Sequence, residues 1–296
     1  MNIVMTKSPS RKILLVGLPS TGKTSFLAAL WYMVNQATID CAFQLDRLDG
    51  DNTYLNMIRD SWLEYKPVPR NRLDSATVVS MNLKDRNTNN VLELSFPDLS
   101  GESFRLQWTA RQFTPEHDEL LRHVNGGILF VHPENIVAPL RIDTVNELAE
   151  TLVDTVPAVE SADGAGSQVS TKPWDIQKAP TQVQLVELLQ FISGRDYFRP
   201  PFRLAIVVSA WDLVANLGEE PRGWISSQLP LLQQFIDCNE GVFEVAFYGV
   251  SAQGGRYVSA EAPELQKRSP GRRVAIVGPH IANPHDITEP LQWLMH

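Results

Sequence analysis

Apolar positions along the chain fall into short unbroken runs and longer stretches spaced by three and four, with turn-forming residues between them. Ile13-Leu14-Leu15-Val16 is wholly apolar, the pattern of a strand covered on both faces. Phe26, Leu27, Leu30, Trp31 and Val34 share one helical face, and Leu55, Ile58 and Trp62 predict a second helix over about 54–64. Val79, Met81 and Leu83 alternate with polar residues, as do Leu92, Leu94 and Phe96. Between these runs lies Asp85-Arg86-Asn87-Thr88-Asn89-Asn90, which predicts an antiparallel hairpin. Ile128 to Val131 and Leu204 to Val208 read as buried strands, with a helix carried by Leu185, Leu188, Leu189 and Ile192 between them. Trp224 to Ile236 reads as one helix, entered or kinked at Pro230. Phe243, Val245 and Phe247 alternate as a strand, and Val274 to Val277 is a short strand-like run. A terminal helix over 286–295 is expected to start at Asp286, with Glu289 completing a partial capping box. The βα alternation with one antiparallel excursion predicts an α/β three-layer sandwich, its sheet mostly parallel with one antiparallel strand.

Composition narrows the class. Hydrophobic residues are 43% and charged residues 20%, which excludes wholesale disorder. The longest apolar stretch, Phe26 to Val34, has nine residues, against the roughly twenty of a membrane-spanning helix. The opening MNIVMTKSPSRK has no apolar core of a secretory signal. Cys41 and Cys238 are expected as reduced, packed thiols, and the location as cytoplasmic. The 26 basic and 34 acidic residues give a charge of −8, which argues against non-specific nucleic-acid binding. The one basic cluster, Lys267, Arg268, Arg272 and Arg273, is expected to be a solvated loop around Ser269-Pro270-Gly271. The six histidines show no metal-ligand spacing, so no protein-built metal site is expected.

The first apolar strand runs directly into Gly17-Leu18-Pro19-Ser20-Thr21-Gly22-Lys23-Thr24-Ser25, and an amphipathic helix follows. This is the G-x4-G-K-S/T phosphate loop in its strand-loop-helix setting. Its backbone N–H groups must wrap a phosphate closely, and a side chain at Gly17 or Gly22 would obstruct them. The helix N-terminus points its positive end at the same phosphates. Lys23 would bridge the β- and γ-phosphate oxygens, and the Thr24 hydroxyl would ligate Mg²⁺.

The predicted hairpin runs into Pro97-Asp98-Leu99-Ser100-Gly101-Glu102. This D-x-x-G resembles the third guanine-nucleotide motif of Ras-like GTPases, with Asp98 on the Mg²⁺ side and the Gly101 N–H at the γ-phosphate. Ser209-Ala210-Trp211-Asp212 ends a buried strand where such proteins carry N/T-K-x-D. Asp212 matches the carboxylate that reads guanine, whereas Ala210 replaces the lysine whose stem lies along the base. Val250-Ser251-Ala252-Gln253 resembles the fifth motif, S-A-K/L, whose Ala N–H meets the guanine O6. The chain resembles the translation-factor/Ras-related (TRAFAC) class of P-loop GTPases. Within that class GKTSFLAALW, FPDLSGE and SAWD look like the bacterial double-GTPase group.

The resemblance implies a Ras-like G domain over 1–296, with insertions at about 38–68, 133–180 and 253–285. Residues 156–180 are expected as a loop or linker. The implied ligands are GTP, GDP and Mg²⁺, and the implied activity is slow GTP hydrolysis driving a switch. Segments near 66–78 and 98–114 would order around the γ-phosphate. The group's setting implies a partner protein encoded nearby, in a bacterial immunity or stress system. Glu102 stands where Ras-like proteins position the attacking water, and Arg70 and Arg72 stand where some G proteins supply a cation in cis. With no Thr at Asn71, the usual switch Thr–Mg²⁺ contact would fall to Ser75 or Thr77. Ala210 keeps two other readings open: a nucleotide-binding interaction subunit without turnover, and an ATPase.

Overall fold

Residues 11–36, 40–49, 52–68, 78–97, 108–139 and 178–296 are described by the computed structural model of the chain. The first apolar run becomes β1 (Arg11–Gly17), near the middle of an eight-stranded sheet. The sheet also contains β2 (Phe43–Asp49), β3 (Val78–Asp85), β4 (Val91–Pro97), β5 (Gly126–Val131), β6 (Phe202–Ser209), β7 (Phe243–Ser251) and β8 (Ala275–Val277). Their order is β2-β3-β4-β1-β5-β6-β7-β8. Strands β4, β1, β5, β6 and β7 are parallel, so their C-terminal ends share one edge of the molecule. The expected antiparallel excursion is β3, which pairs with β4 in the register Met81↔Leu94. Asp85 closes the hairpin by accepting from the Asn87 and Thr88 N–H groups, both at 2.7 Å. The three-residue β8 adds a short antiparallel edge beside β7.

Alternation along each central strand feeds two cores. Ile13, Leu15, Ile128 and Phe130 point to one face, under α1 (Lys23–Asn35), α2 (Thr53–Leu63) and the terminal helix α9 (Glu289–Met295). Leu14, Val16, Leu129 and Val131 point to the other, under α4 (Thr181–Ser193), α5 (Pro221–Gln228) and α6 (Pro230–Asp237). Burial on both faces is why these strands are continuously apolar in sequence. Helix α1 is buried beyond one stripe, because α2 packs over its outer side. There Trp31 Nε1 donates to Asn56 Oδ1 at 3.1 Å, and the Tyr32 and Trp62 rings lie 5.3 Å apart.

Four expectations are corrected. Strand β2 was not foreseen, because a register shift between Leu45 and Arg47 breaks its apolar alternation. The helix expected over Trp224 to Ile236 is two helices, split at Leu229, whose φ of −133° and ψ of 56° are not helical. Pro230 accounts for this by crowding the residue before it out of the helical region. The terminal helix begins at Glu289 and not Asp286. Its two carboxylates hold the preceding turns instead: Asp286 accepts from the Thr288 and Ala42 N–H groups, and Glu289 from those of Ala282 and Asn283. The basic cluster is a solvated loop only in part: Lys267 ends α7 (Ala262–Lys267), Arg268 follows it and Arg272 lies in α8 (Pro270–Arg273), all three exposed, whereas Arg273 is buried. Burial of the cysteines is also uneven, since Cys41 is buried but Cys238 is exposed.

Candidate functional site

Gly17 ends β1 with a φ of 146°, and Gly22 turns the chain into α1 with a φ of 86°. Both positions favour glycine on backbone grounds, and neither leaves room for a side chain. A Cβ at Gly17 would stand 2.8 Å from the Phe130 carbonyl, and one at Gly22 would stand 2.8 Å from Ser209 Oγ. The loop is therefore drawn tightly against the ends of β5 and β6. Ser20, also at positive φ, gives its carbonyl to Asn135 Nδ2 at 2.7 Å, tying the loop to the segment after β5. Thr21 Oγ1 donates to the Leu18 carbonyl at 2.8 Å across the turn. The Lys23 ammonium donates to the Gly17 and Leu18 carbonyls, each at 2.8 Å, so it arches back over the loop. Thr24 and Ser25 are half-buried in the first turn of α1.

Ser209 closes β6, donates to the Val131 carbonyl at the end of β5 at 3.1 Å, and lies against Gly22 of the phosphate loop. Ala210 follows in the left-handed region with a φ of 46°. That turn buries the Trp211 indole and carries Asp212 to the strand-end edge. Ser251, the last residue of β7, donates through its hydroxyl to Asp212 Oδ1, and its Oγ accepts from the Gly254 N–H at 3.0 Å. The two base-side motifs thus form one hydrogen-bonded unit.

These elements enclose a cavity of about 450 Å³. Gly22 and Ser25 line it from the phosphate-loop side, and Ser209, Ala210, Asp212 and Ala252 from the ends of β6 and β7. Of the anticipated residues, Gly22, Ser25, Asp212 and Ala252 line it directly; Gly17, Ser20, Thr21, Lys23, Thr24 and Ser251 stand in the elements that build it. Asp98, Gly101, Glu102, Arg70, Arg72, Ser75 and Thr77 lie outside the described residues. So do Asn71 and most of the 156–180 segment. Strand β4 pairs with β1 as far as Leu14↔Ser95 and ends at Pro97.

A family model for Double-GTPase 1 matches residues 14–294 of the chain. The chain belongs to the double-GTPase 1 family. A search among curated proteins finds no match. Among solved structures, this double-GTPase 1 chain is similar to the bacterial selenocysteine-specific elongation factor EF-Sec, at 13% identity and a TM-score of 0.36. That likeness covers 87% of this chain but only 27% of the elongation factor. It is similar to the SRb-GTP/SRX complex of the signal recognition particle receptor from Chaetomium thermophilum, at 13% identity over 87% and 96% of the two chains, with a TM-score of 0.40. It is also similar to the G domain of the T. maritima FeoB iron transporter, at 14% identity over 87% and 96%, with a TM-score of 0.33. Among the described residues, no helix is long and apolar enough to cross a membrane.

The double-GTPase 1 cavity has a wall that motif reading missed. His132 and Glu134 follow β5, and Arg256 and Tyr257 follow β7. Arg256 forms a forked ion pair with the Glu134 carboxylate. Tyr65 donates its hydroxyl to the Arg256 carbonyl at 3.1 Å, and the Tyr65 and Tyr257 rings meet edge to face at 5.5 Å. Burial lowers the His132 pKa and raises that of Tyr257, although a Ser25 hydrogen bond pulls the tyrosine partly back. Behind this wall, Trp62 Nε1 donates to the Ala252 carbonyl at 2.9 Å, and the Arg273 guanidinium lies 4.7 Å from the Trp62 ring centroid. Arg273 also donates to the Trp62 carbonyl at 3.2 Å. One signal could have found the missed wall: ligands of parallel sheets bind at the carboxyl ends of the strands, and all four residues follow such ends.

Proposed function

We propose that the chain binds GTP and GDP as magnesium complexes, hydrolyses GTP slowly, and acts as a switch read by a partner protein. The observation that carries this reading is the single cavity where the phosphate loop, Asp212 and Ala252 converge. Its volume of about 450 Å³ is that of a small-ligand pocket, with phosphates placed at Gly22 and a base at Asp212. The glycine cradle fits a phosphate because only a backbone without Cβ atoms can approach so closely. Asp212, aligned by Ser251, accepts from the guanine N1–H and 2-amino groups, and the Ala252 N–H meets O6. Lys23 brings its charge to the β- and γ-phosphate oxygens.

Thr24 and Asp98 are hard oxygen donors, the set that magnesium prefers. When bound, the ion neutralises charge that develops during phosphoryl transfer. The Gly101 N–H reports the γ-phosphate, Glu102 orients the water, and Arg70 or Arg72 offsets the transferring charge. Segments 66–78 and 98–114 then present the nucleotide state to the partner. The family likeness suggests that this partner belongs to a bacterial immunity or stress system.

A second reading, a nucleotide-binding subunit without turnover, draws support from Ala210, where the missing lysine weakens the hold on the base. The two separate in single-turnover assays of GTP and ATP hydrolysis by the purified chain and by Glu102→Ala, Arg70→Ala and Arg72→Ala, each checked for nucleotide affinity. Loss of the chemical step with binding retained supports the switch. Binding without hydrolysis in any protein, with or without the neighbouring gene products, supports the second reading. Equal use of ATP would replace both with an ATPase.

A further inference from the structure

The wall that motif reading missed contains a cation in the same cavity as the position where the usual one is absent. Ala210 and Arg256 line the same cavity, Ala210 beside Asp212 in the turn after β6 and Arg256 in the segment after the neighbouring β7. Arg256 is unusually well aimed for a surface arginine. Its carbonyl accepts from the Tyr65 hydroxyl at 3.1 Å and from Ser259 Oγ at 3.3 Å, so the main chain is held. Its guanidinium is held by both oxygens of Glu134, which comes from the far side of the cavity, after β5. Asn135, next to Glu134, is itself bonded to the phosphate loop through the Ser20 carbonyl. The pair therefore spans the cavity mouth from the phosphate-loop side to the base side.

This bridge is poorly suited to a stabilising role. The two side chains are 55% and 48% exposed, and ion pairs so solvated contribute little to stability. It is well suited to covering a flat ligand. A guanidinium is planar, permanently charged and weakly hydrated, and it stacks on aromatic faces in a way that an ammonium does not.

We propose that Arg256, aligned by Glu134, lies over the nucleotide base and supplies the cationic cover that Ala210 cannot. This rests on the guanine-nucleotide reading of the cavity and names a residue that determines affinity for the base. Arg256 touches the ring and not the γ-phosphate, so GTP and GDP depend on it equally. Glu134 is a positioning residue that keeps the fork from turning out to solvent.

Calorimetric titration of the whole chain with GDP, GTP and tripolyphosphate tests this directly. Arg256→Ala is expected to weaken GDP and GTP alike by about 10-fold, within the range of a cation over a shielded ring. Tripolyphosphate, which has no base, is expected to bind as in the unaltered chain. Adding Ala210→Lys to Arg256→Ala is expected to recover most of the loss, because it returns a cation stem to the base. Undiminished GDP binding by Arg256→Ala would overturn the proposal, as would an equal loss for tripolyphosphate or no recovery with Ala210→Lys. These results leave the guanine reading intact. Failure of the unaltered chain to bind GDP would instead remove that reading, and the proposal with it.

Discussion

The Trp211 indole lies against Gly249, so close that a Cβ on Gly249 would stand 2.3 Å from Trp211 Cδ2. The glycine is in β7 and the tryptophan immediately precedes Asp212, so strand packing sets the position of the Asp212 carboxylate. Gly249→Ala is expected to push the indole outward and carry Asp212 with it. Overpacking of this kind costs about 1–3 kcal/mol. Urea unfolding will register that loss, and competition between GDP and ADP will show guanine selectivity falling while phosphate binding persists.

Gly22 meets β6 in the same way, at Ser209. Gly22→Ala combines a contact of 2.8 Å with a φ of 86°, where an L side chain costs roughly 1–2 kcal/mol. The variant is expected to melt earlier and to bind GDP at least about 10-fold more weakly. Adding Ser209→Gly removes the collision but not the strained φ. That double variant is expected to recover part of the affinity and not all of it.

Asp212→Asn exchanges an acceptor pair for a carboxamide. The remaining oxygen still accepts from N1–H, but guanine loses the acceptor of its 2-amino group, while the xanthine 2-carbonyl gains a donor. Because a mismatched edge leaves buried polar groups unpaired, the variant is expected to prefer XDP over GDP in displacement assays. Retained guanine preference would mean that Asp212 is not the reader.

The phosphate loop and the doubly covered strands were legible because their chemistry is local. Residues 17–24 carry their own geometry, and a strand such as Ile128 to Val131 declares burial on both faces by being continuously apolar. Asp212 and Ser251 were each weak signals, and their hydrogen bond shows them to be parts of one unit. What sequence could not convey came from long-range packing. Arg273 looked like a surface charge among Lys267, Arg268 and Arg272, yet it is buried against Trp62, some 210 positions away in the chain. Strand β2 hid behind a bulge, and the pairing of Glu134 with Arg256 joins two loops with no shared motif.

Burial lowers the pKa of both His117 and His132. The unfolded chain therefore takes up protons more readily than the folded one as pH falls through the ordinary histidine value of about 6.5. The stability these groups contribute is complete above that value and is lost progressively below it. The melting temperature is expected to fall between pH 7.5 and 5.5, before carboxylates titrate. His117→Asn with His132→Asn is expected to flatten that decline, as calorimetric scans across the interval will reveal.

The most direct test of the central claim is nucleotide affinity measured by calorimetry for the unaltered chain and for Lys23→Ala, alongside their unfolding curves. Lys23 is part-buried, with its ammonium on the Gly17 and Leu18 carbonyls and no role in either hydrophobic core. Its loss should leave the unfolding midpoint nearly unchanged. Removing a desolvated charge from its partner costs about 2–5 kcal/mol, so GDP affinity should fall by roughly 30- to 5,000-fold, while ATP fails to displace GDP from the unaltered chain. Equal GDP affinity in the two proteins, or ATP competing as well as GTP, would contradict the account.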